Sequence, residues 1–298
     1  KQQFLSRFSE RELSTDTIAG EAKEALKTLE FPTTRNEYWK YTRLGQLINS
    51  DFTRTPASQV DSIEKYIIPG LNAYLAVFID GIYSNKLSDI ESSKDINIKP
   101  IARARLENPE LIKKHYGQLA DHKTQIFSSI NALYNENGVF IEVKNNAVPE
   151  KPIHVINLTS AKNMACHPRN LFLIGKNAEA SVIQTYETFA GDAFFNVVNE
   201  IYIAENANFN TFTFQNQGTQ SKQINTTEVL QEANSNYTAT TITMNTGLVR
   251  NNHNVKVVGQ GAITNLFGLY LTNGKEHVDN HTLIDHIVPN CTSNEFYK

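Results

Sequence analysis

Glu205-Asn206-Ala207 forms a small polar turn that leads into the alternating run Phe209-Asn210-Thr211-Phe212-Thr213-Phe214. Similar turns end at Ala178, Ala233 and Ala262, so the four alanines lie 29, 26 and 29 residues apart. A second β-rich run lies between successive turns, at residues 197–203, 224–230 and 248–258. A two-strand unit that recurs about every 27 residues is typical of a solenoid whose rungs stack into a continuous core.

Alternation within these strands predicts which side chains face the core. Val182, Phe212, Phe214 and Leu266 are expected to point inward, while Thr, Gln and Asn face water. Two sheets of this kind bury their apolar faces against each other. The predicted fold is therefore mainly β, with two strands per turn.

An α-rich region is predicted before the solenoid. Apolar residues at helical spacing run from Ile18 to Leu29, and Ser14, Thr15 or Asp16 can cap this helix. A second helix is expected over residues 36–48, with Tyr38, Tyr41, Leu44 and Ile48 buried. Residues 51–62 are expected to form a polar connection.

Strands and helices alternate in the next stretch. Tyr74–Ile79 and Ile82–Tyr83 flank Asp80-Gly81, which predicts a hairpin. Residues 106–134 return to helix, with Asn108-Pro109 at a helix start. Asn137-Gly138 then turns into strand, and almost nothing helical is expected after it. We therefore predict an N-terminal α-rich region with a short β element at residues 1–137 and a β-helix core at 138–298.

Composition excludes several classes of function. The 298 residues carry a net charge of -3 with a pI near 6.3, which does not favour a nucleic-acid surface. No apolar run is long enough to cross a bilayer, and the first residues lack a signal-peptide pattern. Two cysteines supply no disulfide framework. A cytoplasmic protein with reduced thiols is expected, with no nucleic-acid or membrane partner.

Three stretches match the pattern of a known family. Residues 37–42 (Glu-Tyr-Trp-Lys-Tyr-Thr) follow the first helix, and Asn137–Val143 with Glu150–Ile153 leads into the β-rich part. Asp279–His286, Cys291-Thr292-Ser293 and Lys298 form the third stretch. Together they resemble the SufB/SufD family of iron–sulfur cluster assembly proteins. The absence of an N-terminal cluster-binding cysteine motif is similar to the SufD branch.

The resemblance implies a right-handed parallel β-helix and a non-catalytic scaffold role. SufD-like chains pair with a SufB-like subunit and with SufC-like ATPases in the cytosol. No cofactor is expected on this chain itself, and an iron–sulfur cluster or a flavin would belong to the assembled complex. Family members continue past the Cys-x-Ser element. We therefore expect this chain to lack the C-terminal helices that dock the ATPase and the Cys-Ser-His-Gly motif.

A metal site is one candidate for chemistry near the third stretch. His277, Asp279 and His281 share one face of a strand, and imidazole and carboxylate groups are ligands of transition metals. His286 with Cys291 is the preferred pair, because both lie on the family-like element. The alternative is that these are polar outward positions whose histidines hydrogen-bond between rungs.

Other candidate residues have simpler explanations. Cys166 and His167 are neighbours but point to opposite faces of an extended chain, so a loop cysteine is favoured over a nucleophilic pair. Residues 268–276 lack the glycine spacing of a phosphate loop and are predicted to end in a turn. Trp39, with Tyr38 and Tyr41, is either an exposed contact for a partner subunit or an anchor of the helical region.

The rival function is a β-helix enzyme or binding protein that acts on polysaccharides. Such an enzyme needs carboxylates clustered on one exposed face. The acidic residues between 176 and 274 lie mostly at turns and are not expected to recur at the rung period as a groove. A structural adhesin is a weaker option, since no export signal is visible. Without a partner subunit, an exposed end rung favours a homodimer.

Overall fold

The computed structural model describes residues 1–8, 17–52, 60–90, 94–135, 137–189 and 191–298. The helices in this part of the chain are short and end before the solenoid proper. They are α1 (Gln2–Ser6), α2 (Thr17–Ala25), α3 (Gly45–Ile48), α4 (Ile101–Glu107), α5 (Pro109–His115) and α6 (Ile126–Tyr134), with 3₁₀ turns at Glu37–Trp39 and Glu64–Tyr66. Over the described ranges, none of these helices has the length and apolar character needed to span a bilayer.

Strands make up most of the remaining structure. In chain order they are β1 (Tyr74–Ile79), β2 (Ile82–Tyr83), β3 (Ile96–Pro100), β4 (Val139–Val143), β5 (Ile153–Thr159), β6 (Met164–Cys166), β7 (Arg169–Ile174), β8 (Glu179–Thr188), β9 (Ala193–Ile203), β10 (Asn208–Asn216), β11 (Gly218–Gln231), β12 (Asn236–Met244), β13 (Thr246–Val257), β14 (Ile263–Leu271), β15 (His277–His286) and β16 (Thr292–Tyr297).

These strands form two facing sheets. Sheet A has the order β3-β4-β7-β9-β11-β13-β15, with β6 also paired to β9, and sheet B has the order β2-β1-β5-β8-β10-β12-β14-β16. Pairing between rungs is parallel, and the antiparallel pairs are β1 with β2 and β3 with β4. The result is a parallel β-solenoid of about five turns behind a helical region, which confirms the predicted mainly β fold.

Each rung turns into sheet B through a residue in the left-handed region. This residue is Asn177, Asn206, Asn234, Gly261 or Asn290, and asparagine and glycine tolerate that conformation best. A small side chain follows it and stacks on its counterparts in neighbouring rungs; these are Ala178, Ala207, Ser235, Ala262 and Cys291. The prediction of Ala233 as the third member was therefore wrong, because the strand register places Ser235 there.

The inner face was predicted correctly at some positions and wrongly at others. Val182 and Leu266 are fully buried between the sheets, as expected. Phe212 and Phe214 instead point outward. Thr211 points into the solenoid, between its paired residues on the two neighbouring strands of sheet B. Phenylalanines lie on both faces of β10, so alternation alone does not show which face is buried. Phe209 decides it, because its ring stacks on Tyr237 in the core.

Part of the interior is polar, contrary to the expectation that Asn, Gln and Thr would face water. The side-chain oxygen of Asn251 accepts hydrogen bonds from Gln215 and Asn225, at 2.9 and 3.0 Å. The Asn251 nitrogen donates to Asn280 at 2.8 Å. These amides satisfy one another from rung to rung, which removes the cost of burying unpaired polar groups.

The helical region differs in detail from its prediction. Helix α2 covers the start of the predicted 18–29 helix, and the hairpin at Asp80-Gly81 and the helix start at Pro109 are confirmed. The predicted 36–48 helix is broken into a 3₁₀ turn and α3, and Tyr38 and Tyr41 are exposed rather than buried. Two predictions fall on residues that the structure does not describe: the cap at Ser14, Thr15 or Asp16, and residues 53–59 of the connection.

A buried carboxylate fastens the helical region to the solenoid. Glu200 in β9 accepts backbone N–H bonds from Gly117, Leu119 and Ala120 at 2.7–3.0 Å. Its other partner is Arg169 in β7, whose Nη2 lies 3.1 Å from Glu200 Oε2, and both side chains are fully buried. Removing one member of such a pair leaves an uncompensated buried charge.

We expect Glu200→Gln to lower the free energy of unfolding by about 3–5 kcal/mol, because Arg169 would remain charged and unpaired. The measurement is urea denaturation followed by circular dichroism. Glu205→Gln is the matched control, since Glu205 forms an exposed pair with Lys176 and its loss should cost at most about 1 kcal/mol. Equal effects for the two variants would contradict the anchoring role of Glu200.

Candidate functional site

Two of the family-like stretches meet in space although about 240 residues separate them. The segment Glu37–Thr42, here the 37–42 segment, lies on the outer face of sheet A against β13 and β15. Asn36 starts it, because its side-chain oxygen accepts the N–H of Tyr38 at 3.1 Å and caps the 3₁₀ turn. The contact joins the helical region to the last strand of sheet A.

Trp39 is the apolar anchor of this contact. Its ring stacks on Phe127 of α6 with centroids 5.4 Å apart and is buried in the cluster that joins the helices to sheet A. The guanidinium of Arg250 in β13 lies 4.1 Å from the Trp39 ring centroid, which is a cation–π geometry. Burial lowers the pKa of Arg250, and the neighbouring Asp279 opposes that shift.

Asp279 in β15 is the hydrogen-bond acceptor at the centre of this contact. Its Oδ2 accepts hydrogen bonds from Arg250 Nη1 and from the Thr42 hydroxyl. The same hydroxyl lies 3.3 Å from His277 Nε2. Thr42 and Arg250 are almost completely buried, so these bonds are shielded from water and from salt.

The outer side of the 37–42 segment presents aromatic rings to solvent. Tyr38 and Tyr41 are largely exposed, and the Tyr38 ring meets His281 edge-on at 5.2 Å. Burial and the nearby Arg250 lower the pKa of His281. Of the two interpretations of Trp39, the structure favours the core anchor, while the adjacent tyrosines remain available for contacts.

The predicted metal ligands lie in different surroundings. Asp279 and His277 bond to Arg250 and Thr42, while His281 meets Tyr38. His286 is exposed at the end of β15, and Cys291 follows the left-handed turn, with Sγ 3.4 Å from the Gly259 oxygen. In the part of the chain that the structure describes, no three His, Cys, Asp or Glu side chains are grouped as a metal ion requires. The His286–Cys291 pair stays a prediction.

The other candidates are structural. The loop position predicted for Cys166 was wrong, because Cys166 is the buried last residue of β6. The His167 ring lies among the rings of Phe8, Tyr134 and Phe194. Strand β14 ends at Leu271, and Gly274 then takes a positive φ, so the predicted turn before β15 is confirmed.

Two carboxylates recur at the rung period, but they do not form an exposed groove. Glu200 and Glu228 are register partners on the outer face of sheet A. Glu200 is fully enclosed by Arg169 and backbone N–H groups, so it cannot reach a polysaccharide. Burial and the charges of Glu200 and Asp121 raise the pKa of Glu228 to about 7, although Asn254 donates to it at 2.7 Å. The sequence analysis did not identify this pair, although the 28-residue spacing of the two glutamates indicates it.

Comparison with known families covers both halves of the chain. The model for the SUF-system FeS cluster assembly SufBD core domain matches residues 156–298. The model for the SufBD protein N-terminal region matches residues 9–155. The chain belongs to the SufBD family. Both regions occur in the expected order, and the resemblance seen in the three sequence stretches is confirmed.

Individual SufBD relatives are distant in sequence. The SufBD family protein slr0076 of Synechocystis is 25% identical over 293 residues, covering 93% of this chain and 64% of the relative. The iron–sulfur cluster assembly protein SufD of Escherichia coli is 22% identical over 272 residues, covering 90% of this chain and 62% of the relative. The chain thus spans less than two thirds of the length of these two proteins.

In this SufBD chain, Trp39→Ala should lower the free energy of unfolding by about 3–5 kcal/mol, because it removes a large buried ring and uncovers Arg250. Hydrogen exchange should also quicken in β15, which loses the covering segment. Tyr41→Ala, in the same segment but exposed, is the control and should change stability by about 0.5 kcal/mol or less. Unchanged exchange in β15 after Trp39→Ala would contradict the role of the segment as its cover.

Glu228 should make the stability of this SufBD chain depend on pH. Its folded pKa of about 7 lies above the ordinary 4.5, so the folded state holds a proton that the unfolded chain has released between these values. Stability is therefore expected to fall as pH rises from 4.5 to 7. The Glu228→Gln variant lacks this titration. The difference in free energy of unfolding between this variant and the parent should therefore shift in favour of the variant by roughly 1–3 kcal/mol from pH 4.5 to pH 8. Urea denaturation across this pH range measures the shift, and Glu179→Gln at an exposed position is the control. If the difference between Glu228→Gln and the parent does not change with pH, the raised pKa of Glu228 is refuted.

Proposed function

We propose that the chain is a non-catalytic scaffold subunit of the SUF machinery for iron–sulfur cluster assembly. It pairs with a SufB-like subunit and with SufC-like ATPases in the cytoplasm. The observation that carries the proposal is the match of both SufBD regions, in order, across residues 9–298. Distant relatives named for iron–sulfur cluster assembly support the same process.

The architecture supports a platform rather than a reaction centre. Stacked rungs with mutually bonded interior amides form a rigid body. The two buried guanidinium groups are paired within the fold, Arg169 with Glu200 and Arg250 with Asp279. In this proposal the cluster is the cargo, thiolates of the SufB-like partner hold it, and ATP hydrolysis comes from the SufC-like subunit. A flavin, where present, belongs to the complex.

Reconstitution tests the scaffold role directly. The full gene product is co-expressed with the SufB-like and SufC-like subunits of the same genome, and the complex is sized by light scattering. We expect a stable complex whose cluster transfer to an apo-ferredoxin falls at least tenfold when this chain is omitted. A mixture that lacks the SufB-like subunit is the control and should form no cluster.

Two outcomes would count against the scaffold role. The first is failure of the three subunits to associate under any nucleotide condition. The second is cluster transfer that proceeds equally well without this chain. Release of reducing sugars from polysaccharides by the purified chain would instead favour the rival class of function.

A further inference from the structure

A small polar cavity lies inside the solenoid, between the two sheets. Its walls come from β8, β10 and β12 of sheet B and from β9, β11 and β13 of sheet A. The room available to the centre of a water molecule is about 20 Å³, which is enough for one ordered water. Strands β14 and β15 add a further rung after these six, so the cavity lies within the stack.

Two rows of polar side chains face each other across this cavity. Each row consists of register partners: Gln184, Thr213 and Thr241 on sheet B, and Asn199, Thr227 and His253 on sheet A. Successive members of a row are one strand spacing apart, about 4.8 Å. Cavities that stay empty in proteins are apolar, whereas a polar lining of this kind binds water.

The two rows bond directly to each other at one end only. Gln184 Nε2 donates to Asn199 Oδ1 across the interior at 3.1 Å. Threonine occupies the next two positions of the sheet B row, and its side chain is shorter than that of glutamine. In the described ranges of the chain, the hydroxyls of Thr213 and Thr241 hydrogen-bond to no other protein group. The cavity therefore opens where threonine follows glutamine in the row.

Two further side chains have unused bonding capacity at the cavity. Gln184 Oε1 and His253 Nδ1 have no protein partner among the residues that the structure describes, although the two side chains are only 3% and 9% exposed. His253 Nε2 lies 3.1 Å from the Tyr237 hydroxyl, which holds the imidazole ring in the wall. Burial lowers the pKa of His253 to about 4, so the ring is neutral at physiological pH. Buried polar atoms without a partner are costly, and an internal water removes that cost.

One water can bond to several of these groups at once. The Thr213 and Thr241 side chains stand on adjacent strands about 4.8 Å apart, and two hydrogen bonds of about 2.8 Å each can span that distance. His253 Nδ1 supplies a third partner from sheet A. Internal waters in proteins typically make about three hydrogen bonds, and these three groups provide them.

We propose that this cavity is a binding site for a single ordered water that bridges the two sheets. The water hydrogen-bonds to the hydroxyls of Thr213 and Thr241 on sheet B and to Nδ1 of His253 on sheet A. It replaces, in the later rungs, the direct bond that Gln184 makes to Asn199. The water is a permanent part of the fold, and this inference does not depend on the proposed function.

Crystallography of the full gene product tests the site directly. Electron density should show one water within about 3.2 Å of Thr213 Oγ1, Thr241 Oγ1 and His253 Nδ1. The structure is also determined for Thr241→Val, which has nearly the same shape but no hydroxyl, and for Thr241→Ser, which keeps the hydroxyl. Thr240→Val is the matched control, because Thr240 is the next residue of β12 and points to the opposite face.

We expect Thr241→Val to lose the water. Its equilibrium constant for unfolding, measured in urea, should rise about tenfold, because Thr213 and His253 then lose their partner. Thr241→Ser should keep the water, and Thr240→Val should change the constant by less than about threefold.

Three results would overturn the water site. The first is an empty cavity in the parent, and the second is a metal ion in place of the water. The third is a Thr241→Val variant at least as stable as the parent, since valine in a dry cavity sacrifices no hydrogen bond. If Thr241→Val does not fold, the density of the parent decides the question.

Discussion

Parallel stacking in register constrains every rung of this solenoid. In the inner strands, such as β9–β12, the backbone N–H and C=O groups bond to the rungs before and after, so each residue lies over its counterpart in the neighbouring rung. Small residues must then stack on small residues, as from Ala178 to Ala207 and on to Ser235. Charged residues must stack on groups that tolerate them, as Arg250 does on Asp279.

The same constraint explains the turns and the polar interior. Asn206 donates to Asn177 at 3.0 Å, and Asn177 donates to Asn146 at 2.8 Å, so the left-handed residues form a ladder of amides along one edge. Inside, Asn251 bridges amides of several strands in the same way. A polar residue is acceptable in the interior because its neighbour one rung away is a polar residue of the right kind.

Much of the fold could be predicted from sequence, because period and turn chemistry are local signals. The errors arose where two local patterns competed. Phe212 and Phe209 stand on opposite faces of one strand, and only the contact of Phe209 with Tyr237 decides between them. The 37–42 segment was recognisable in sequence, but its contact with Asp279 spans more than 230 residues and its partner Arg250 lies in no motif. One signal was available: opposite charges at the rung spacing or two residues beyond it, 29 residues from Arg250 to Asp279 and 31 from Arg169 to Glu200.

The anchor at Glu200 has a consequence for biosynthesis. The N–H groups of Gly117, Leu119 and Ala120 leave the ribosome some 80 residues before the carboxylate that binds them. Thr42 emerges 237 residues before Asp279, a delay of roughly 10–50 s at ordinary elongation rates. During that interval Thr42 and Trp39 lack the side chains of β13 and β15 that they contact in the folded protein. The contacts of the 37–42 segment with β13 and β15 therefore form late, although the residues of this segment are translated among the first.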